Sequence, residues 1–215
     1  RGLRVGVPYG LLETGVDAGI QTAFAESLRV LEHLGARLAP VDLPHSAAGI
    51  PVYYLIATAE ASSNLSRYDG VRYGRRAGDA TTIGAMYERT RSAGFGAEVQ
   101  RRITLGTYVL SAGYHDAYYL KAQQVRTLIG RDYERAFDRV DAIALPTSPT
   151  PAFRLGERTR DPWQMYLADV FTVGASLAGL PALSVPCGFT PERLPGGIHV
   201  RQRSGGSRRD LRRWQ

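Results

Sequence analysis

Apolar and polar positions change period along the chain and so mark out its elements. Leu3-Arg4-Val5-Gly6-Val7 alternates with period two and stops at Pro8, which predicts a short strand. From Asp17 to about Leu34 the apolar positions Ala23, Leu28, Leu31 and Leu34 recur near the helical period, with Asp17 as the cap and Gly35 as the stop. Alternation returns from Arg37 to Leu43 and predicts a second strand. Strand, helix, strand is how an α/β domain opens. The next hundred residues read as helices over about 48–66, 82–92, 97–112 and 115–138. A short apolar strand at 141–145 runs into Pro146-Thr147-Ser148-Pro149-Thr150-Pro151, which cannot lie inside a helix. One continuous helix is predicted from Pro162, a favoured first-turn residue, to Leu177, and a final strand over 182–186. Beyond Phe189 the pattern fades. Residues 196–215 show almost no apolar periodicity, and Gly205-Gly206-Ser207-Arg208-Arg209 is loop-like. The expected organisation is therefore a folded portion over 1–190 and a basic tail over 191–215 that is either disordered or aberrant in sequence.

Composition narrows the class. The chain is 44% hydrophobic and 22% charged, which excludes collagen-like, coiled-coil and wholly disordered polymers. No apolar run approaches the roughly 20 residues that a membrane-spanning helix needs. The single cysteine, Cys187, has no internal disulfide partner, which points to a reducing cytoplasm. No signal-peptide pattern opens the chain, and its start at Arg1 without a methionine reads as a piece cut from a longer polypeptide. The net charge of +7 invites a nucleic-acid reading until its distribution is examined. Seven arginines (193, 201, 203, 208, 209, 212 and 213) against Glu192 and Asp210 put +5 in the last 25 residues, leaving +2 for the rest. Phosphate-gripping surfaces are usually clustered on a folded face, and this cluster is a tail.

Three polar residues stand in apolar surroundings. Asp169 lies within Met165-Tyr166-Leu167-Ala168-Asp169-Val170-Phe171, where an unpaired carboxylate would face a desolvation cost of several kcal/mol. Arg102 shares a helical stripe with Val99, Ile103, Gly106 and Leu110; Arg101 occupies the neighbouring stripe with Leu105 and Tyr108 and stays open as the alternative. Tyr53 offers a hydroxyl at the edge of an apolar helix. A structural account makes Asp169 and Arg102 a buried ion pair, or gives each a loop to cap. A functional account uses their complementarity, because a guanidinium fork binds a carboxylate and an aspartate takes an ammonium. With a tyrosine hydroxyl added, the three would form a receptor for an α-amino acid.

No complete catalytic apparatus accompanies them. His33, His45, His115 and His199 lack metal-ligand spacing. No G-x-S-x-G elbow, Walker-type loop or G-x-G-x-x-G is present. Ser148 and Ser184 lie near strand ends but have no base close in sequence, and Cys187 reads as a core thiol. From its residues, the chain binds a small molecule and does not by itself perform chemistry.

The run Glu60-Ala61-Ser62-Ser63-Asn64-Leu65-Ser66-Arg67-Tyr68-Asp69-Gly70-Val71-Arg72-Tyr73-Gly74 resembles the amidase signature family, within it the A subunits of glutamyl-tRNA(Gln)/aspartyl-tRNA(Asn) amidotransferases. Thr90-Arg91-Ser92 with Gly94-Phe95-Gly96, Gly106 to Gly113, Ala117 to Gln123, Pro146 to Pro151 and Ala178 to Ala182 extend the resemblance in order across about residues 1–190. It implies the C-terminal part of an α/β amidase-signature domain, with a mixed sheet flanked by helices. It also implies a glutaminase half-reaction that releases ammonia from glutamine for amidation of misacylated tRNA, in complex with B and C subunits. ATP and Mg would be used by the complex through a partner subunit, and this chain would need no cofactor. The family's Ser-Ser-Lys catalytic residues have no counterpart here, and Lys121 lies in a different motif, so the chain alone is expected to be inactive. The glutamine-recognition residues carry over to Tyr53, Arg102 and Asp169. Arg102 would hold the α-carboxylate, Asp169 the α-ammonium, and Tyr53 would line the pocket. The competing readings are another amidase-signature hydrolase and a non-catalytic RNA-binding module that uses the tail.

Overall fold

In the computed structural model, which describes residues 2–78, 80–157 and 162–204 (residues 162–164 by backbone alone), the first alternating segment forms strand β1 (Arg4–Val7). Helix α1 (Ala18–His33) follows, and the Asp17 carboxylate caps it by accepting from the backbone N–H groups of Gly19 at 2.8 Å and Ile20 at 3.3 Å. Gly35, at φ +93°, ends the helix. Its left-handed conformation lets the N–H of Ala36 reach back to the carbonyl of Leu31 at 2.9 Å. Strand β2 (Arg37–Pro40) is shorter than the alternation to Leu43 predicts, because its partner β1 ends at Val7, whose carbonyl accepts the last rung from the Val41 N–H at 3.2 Å.

Helices α2 (Gly49–Leu65), α3 (Ile83–Gly94) and α4 (Ala97–Val109) match the helical readings. The predicted helix over 115–138 is a six-residue π-helical segment, His115–Leu120, running into α5 (Lys121–Phe137). Strand β3 (Ala142–Pro146) is buried throughout, as suits an apolar strand covered on both faces. The helix predicted from Pro162 to Leu177 is two short helices, α6 (Pro162–Leu167) and α7 (Val173–Ala178). Between them the backbone tightens into turns whose N–H groups reach only three residues back: Ala168 to Met165, Asp169 to Tyr166 and Val170 to Leu167. Strand β4 (Ala182–Phe189) then turns through residues 190–194 into strand β5 (Pro195–Arg201).

Strand β5 corrects the expected tail. Residues 195–201 lie inside the sheet, whose order is β2-β1-β3-β5-β4, and β5 is antiparallel to both of its neighbours. The first boundary of the expected tail therefore falls within folded structure. The segment read as a tail because it opens on Pro195, Gly196 and Gly197 and because His199 and Arg201 are residues usually found in solvent. Both polar residues are in fact buried, at 7% and 1% exposure. Residues 205–215, the end of the expected tail, lie outside the described residues.

The chain divides into two compact units, one built from residues 1–50 with 125–215, the other from 51–124. In the first unit Val5, Val7, Phe24, Leu28, Ala144 and Ile198 form a core between α1 and the sheet. Strands β1 and β2 are parallel, as are β1 and β3, and β5 and β4 add antiparallel, so the sheet is mixed. The second unit holds α3, α4, the π-helical segment and most of α2. No helix among the described residues is long and apolar enough to cross a membrane.

Candidate functional site

Helices α2 and α4 pack with almost no space between them at one point. A Cβ on Gly106 would sit 1.9 Å from the backbone carbonyl oxygen of Thr58, so only glycine permits this approach. Arg102 lies one turn before Gly106 on the same stripe of α4, and Tyr53 lies about one turn before Thr58 on α2. The close contact thus draws the Arg102 guanidinium to the tyrosines of α2. It sits beside the Tyr53 hydroxyl, which favours its charge, and lies over the ring of Tyr54, 5.4 Å from the centroid. The Tyr53 and Tyr54 rings meet edge to face at 5.2 Å.

A third partner completes the arrangement. Glu98 Oε1 accepts the Arg102 Nε–H at 2.9 Å, and its other oxygen accepts from Arg101. Glu98 was not singled out by sequence reasoning, although its place four residues before an arginine on one helix face is a readable signal. Burial opposes the Arg102 charge, but the bond to Glu98 and the nearby Tyr53 hydroxyl outweigh it and hold the guanidinium above the ordinary arginine value. The side chain of Arg102 is 30% exposed, so the group is anchored yet reachable. Arg101, at 46%, points outward and meets only Glu98 among the bonds formed here. An anchored, permanently charged fork beside a phenol can bind a carboxylate, and the carboxylate it holds here is that of Glu98.

The structure brings Tyr53 and Arg102 together, in the second unit. Asp169 belongs to the first unit and is exposed. The buried carboxylate expected from its apolar neighbours is therefore corrected, and the reason is the break between α6 and α7. On a continuous helix its stripe would enter the core; in the turn, Phe171 and Val173 are buried while Met165 and Leu167 remain about 40% exposed. The carbonyl oxygen of Asp169 accepts from the N–H groups of Thr172 and Val173 and from the Thr172 hydroxyl. Its carboxylate has no hydrogen-bond partner among the described residues.

Other polar groups do structural work in the first unit. Asp132 on α5, 3% exposed, accepts from the backbone N–H of His45 at 2.9 Å and faces His45 Nδ1 at 3.0 Å, tying the turn before α2 to α5. Thr147 and Ser184 share a 2.6 Å hydroxyl bond between the end of β3 and β4. Neither serine nor threonine has a general base against it among the described residues, so this pair braces the strand ends. Among the same residues no cluster of His, Cys, Asp and Glu has the arrangement of a metal site.

Comparison with known proteins shows the family of the chain. The amidase family profile matches residues 1–206. The chain is 58% identical over 200 residues to the A subunit of glutamyl-tRNA(Gln) amidotransferase from Acidobacterium capsulatum, covering 93% of this chain and 42% of that protein. It is 59% identical over 201 residues to the protein of the same name from Anaeromyxobacter sp., with 93% and 41% covered. The crystal structure of the Thermotoga maritima glutamyl-tRNA(Gln) amidotransferase A subunit superposes with a TM-score of 0.69 at 40% identity, covering 94% of this chain and 39% of that one. The chain thus spans about two fifths of the length of these relatives. With its mixed α/β architecture and a profile match running through nearly all of its length, the chain belongs to the amidase family.

Proposed function

We propose that this chain is the glutamine-recognising part of the glutaminase component of a tRNA-dependent amidotransferase. The observation that carries the reading is the Arg102 guanidinium held between Tyr53, Tyr54 and Glu98 on helices α2 and α4. Glutamine is a zwitterion with a neutral amide, and a receptor for it needs a cation for one end and an anion for the other. Arg102 takes the α-carboxylate, Glu98 turning to Arg101 as it does so. Tyr53 directs a hydroxyl at the same end, and Asp169 receives the α-ammonium. The likeness to relatives named as A subunits of glutamyl-tRNA(Gln) amidotransferase supports glutamine over a simple aliphatic or aryl amide. Such an amide carries no charge for a guanidinium to hold.

The family's serine nucleophile and its activating serine and lysine have no counterpart among these 215 residues. In its complex it works beside B and C subunits, and the partner subunit uses ATP and Mg to activate the misacylated tRNA that receives the ammonia. The site of this work is the cytoplasm. The test is Arg102→Ala in the complete amidotransferase. Glutamine-supported amidation should lose two orders of magnitude or more in kcat/KM, while amidation supported by ammonium stays within about twofold. Equal losses with both nitrogen donors would make Arg102 a structural residue and end the glutamine assignment.

A further inference from the structure

Two runs of the sequence that the glutamine site leaves unused, 65–78 and 90–95, meet at one place within the second unit. The loop after α2 is pinned onto α3 by side-chain bonds. Arg91 donates to the carbonyls of Leu65 at 2.9 Å and Tyr68 at 3.2 Å, and Arg76 to that of Gly70 at 2.7 Å. The Thr90 hydroxyl accepts from the Ala77 N–H at 3.0 Å. Between the pinned loop and the end of α3 lies a cavity of about 390 Å³, whose lining includes Tyr68, Tyr73, Arg75, Gly78, Gly94 and Phe95. Tyr53, Glu98 and Arg102 are not part of that lining.

The cavity combines aromatic rings with positive charge. Tyr68 and Tyr73 are 44% and 55% exposed, with ring centroids 6.5 Å apart. Phe95 adds a third ring, and the Arg91 guanidinium lies 5.0 Å from its centroid. Arg75 is exposed and has no hydrogen-bond or ion-pair partner among the described residues. Residues 65–95 hold six arginines against Asp69, Asp79 and Glu88, a net of +3. The bonds of Arg76 and Arg91 go to uncharged carbonyls, so they fix the loop without neutralising it. Asp69 accepts from the backbone N–H groups of Val71 at 2.8 Å and Arg72 at 3.3 Å.

Each ligand class can be weighed against that lining. A cation would meet Arg75 and the net positive charge around it. A neutral aromatic would use the rings and leave the guanidinium idle. A single carboxylate would use the guanidinium and leave most of the volume empty. A flat ring carrying a phosphate uses both, since bases stack on aromatic side chains and a guanidinium fork matches phosphate oxygens.

We propose that the cavity between the 68–78 loop and the end of α3 is a nucleotide site, in which Tyr68, Tyr73 and Phe95 hold the base and Arg75 the phosphate. The inference does not rest on the glutamine reading.

Calorimetric titration of the full chain with adenosine 5′-monophosphate tests it. One site with a Kd below about 1 mM is expected, and adenosine and benzoate should each bind at least about tenfold more weakly. Arg75→Ala should bring the monophosphate down to the level of adenosine and leave adenosine itself unchanged. An added Cβ at Gly78 or Gly94 meets nothing within 4 Å, so Gly78→Leu and Gly94→Leu fill the cavity from two walls. Either should abolish binding with the thermal melt preserved, whereas Arg29→Ala on the surface of α1 should change nothing. A short RNA of four adenylates separates the two sources of the ligand. Binding about tenfold tighter than the monomer identifies a nucleic-acid strand, and equal or weaker binding a free nucleotide; either upholds the site. The proposal is overturned if the monophosphate does not saturate below about 5 mM, if both leucine variants bind it as before, or if benzoate binds equally well.

Discussion

Arg201 is 1% exposed and has no carboxylate partner among the described residues. Its guanidinium bonds the Tyr133 hydroxyl, lies over that ring at 5.3 Å, and donates from Nε to His199 Nδ1 at 3.3 Å. Hydrogen bonds and a ring face offset only part of the cost of desolvating a cation. Replacing it by an apolar side chain of similar length, Arg201→Met, should raise the unfolding free energy by about 1–3 kcal/mol, read from the denaturant midpoint at unchanged slope. The neighbouring histidine responds to the same field. Burial, and then the Arg201 charge, push His199 from its ordinary 6.5 down to about 4. The unfolded chain takes that proton near 6.5, so between roughly pH 6.5 and 4 it binds more protons than the folded chain. Stability must therefore fall as pH falls through this window and level off below it, by about 2–3 kcal/mol in all. Urea unfolding from pH 7.5 to 3.5 checks this; His199→Gln should flatten the profile.

At the scale of elements, the contact of α2 with α4 decides where Arg102 points. Gly106→Ala places a methyl group into the Thr58 carbonyl and must push the helices apart, at a cost of about 1–3 kcal/mol. The same change should weaken glutamine use by moving Arg102 from Tyr53, with both effects measurable in one variant by thermal melting and by kcat/KM for glutamine. The stripe that contained Arg102 was legible from spacing alone, since Val99, Ile103 and Gly106 do turn inward; Val109 replaces the expected Leu110, which is 37% exposed. Asp169 was not legible in the same way. Residues 165–173 around it hold neither glycine nor proline, so nothing local announced the turn that exposes it.

For the whole molecule, the last described strand is a support and not an appendage. Strand β5 lies between β3 and β4, so a chain ended at Leu194 loses its pairing to Ala142–Pro146 and strands β4 from the sheet. Such a truncation should abolish cooperative unfolding of the first unit, whereas a disordered tail could be removed without effect. Circular dichroism with a denaturant titration distinguishes the two. The basic stretch suggested a tail because arginine and glycine are common in tails, and composition does not register that a residue is covered on both faces.

Local patterning was enough to determine the strand–helix–strand opening, the caps at Asp17 and Gly35, the helical middle of the chain and the motifs shared with the amidase family. These depend on neighbours within about four residues, where periodicity and capping act. Tertiary structure decided three matters that such spacing cannot reach. It made 195–201 an interior strand, because burial of His199 and Arg201 is imposed by β3, β4 and α5. It set Arg102 against Tyr53 and Tyr54 through a glycine contact between helices. It placed Asp169 in solvent, because the helix around it breaks. Each outcome depends on which surfaces meet, and hydrophobic pattern specifies the side that turns inward without specifying the partner it finds there.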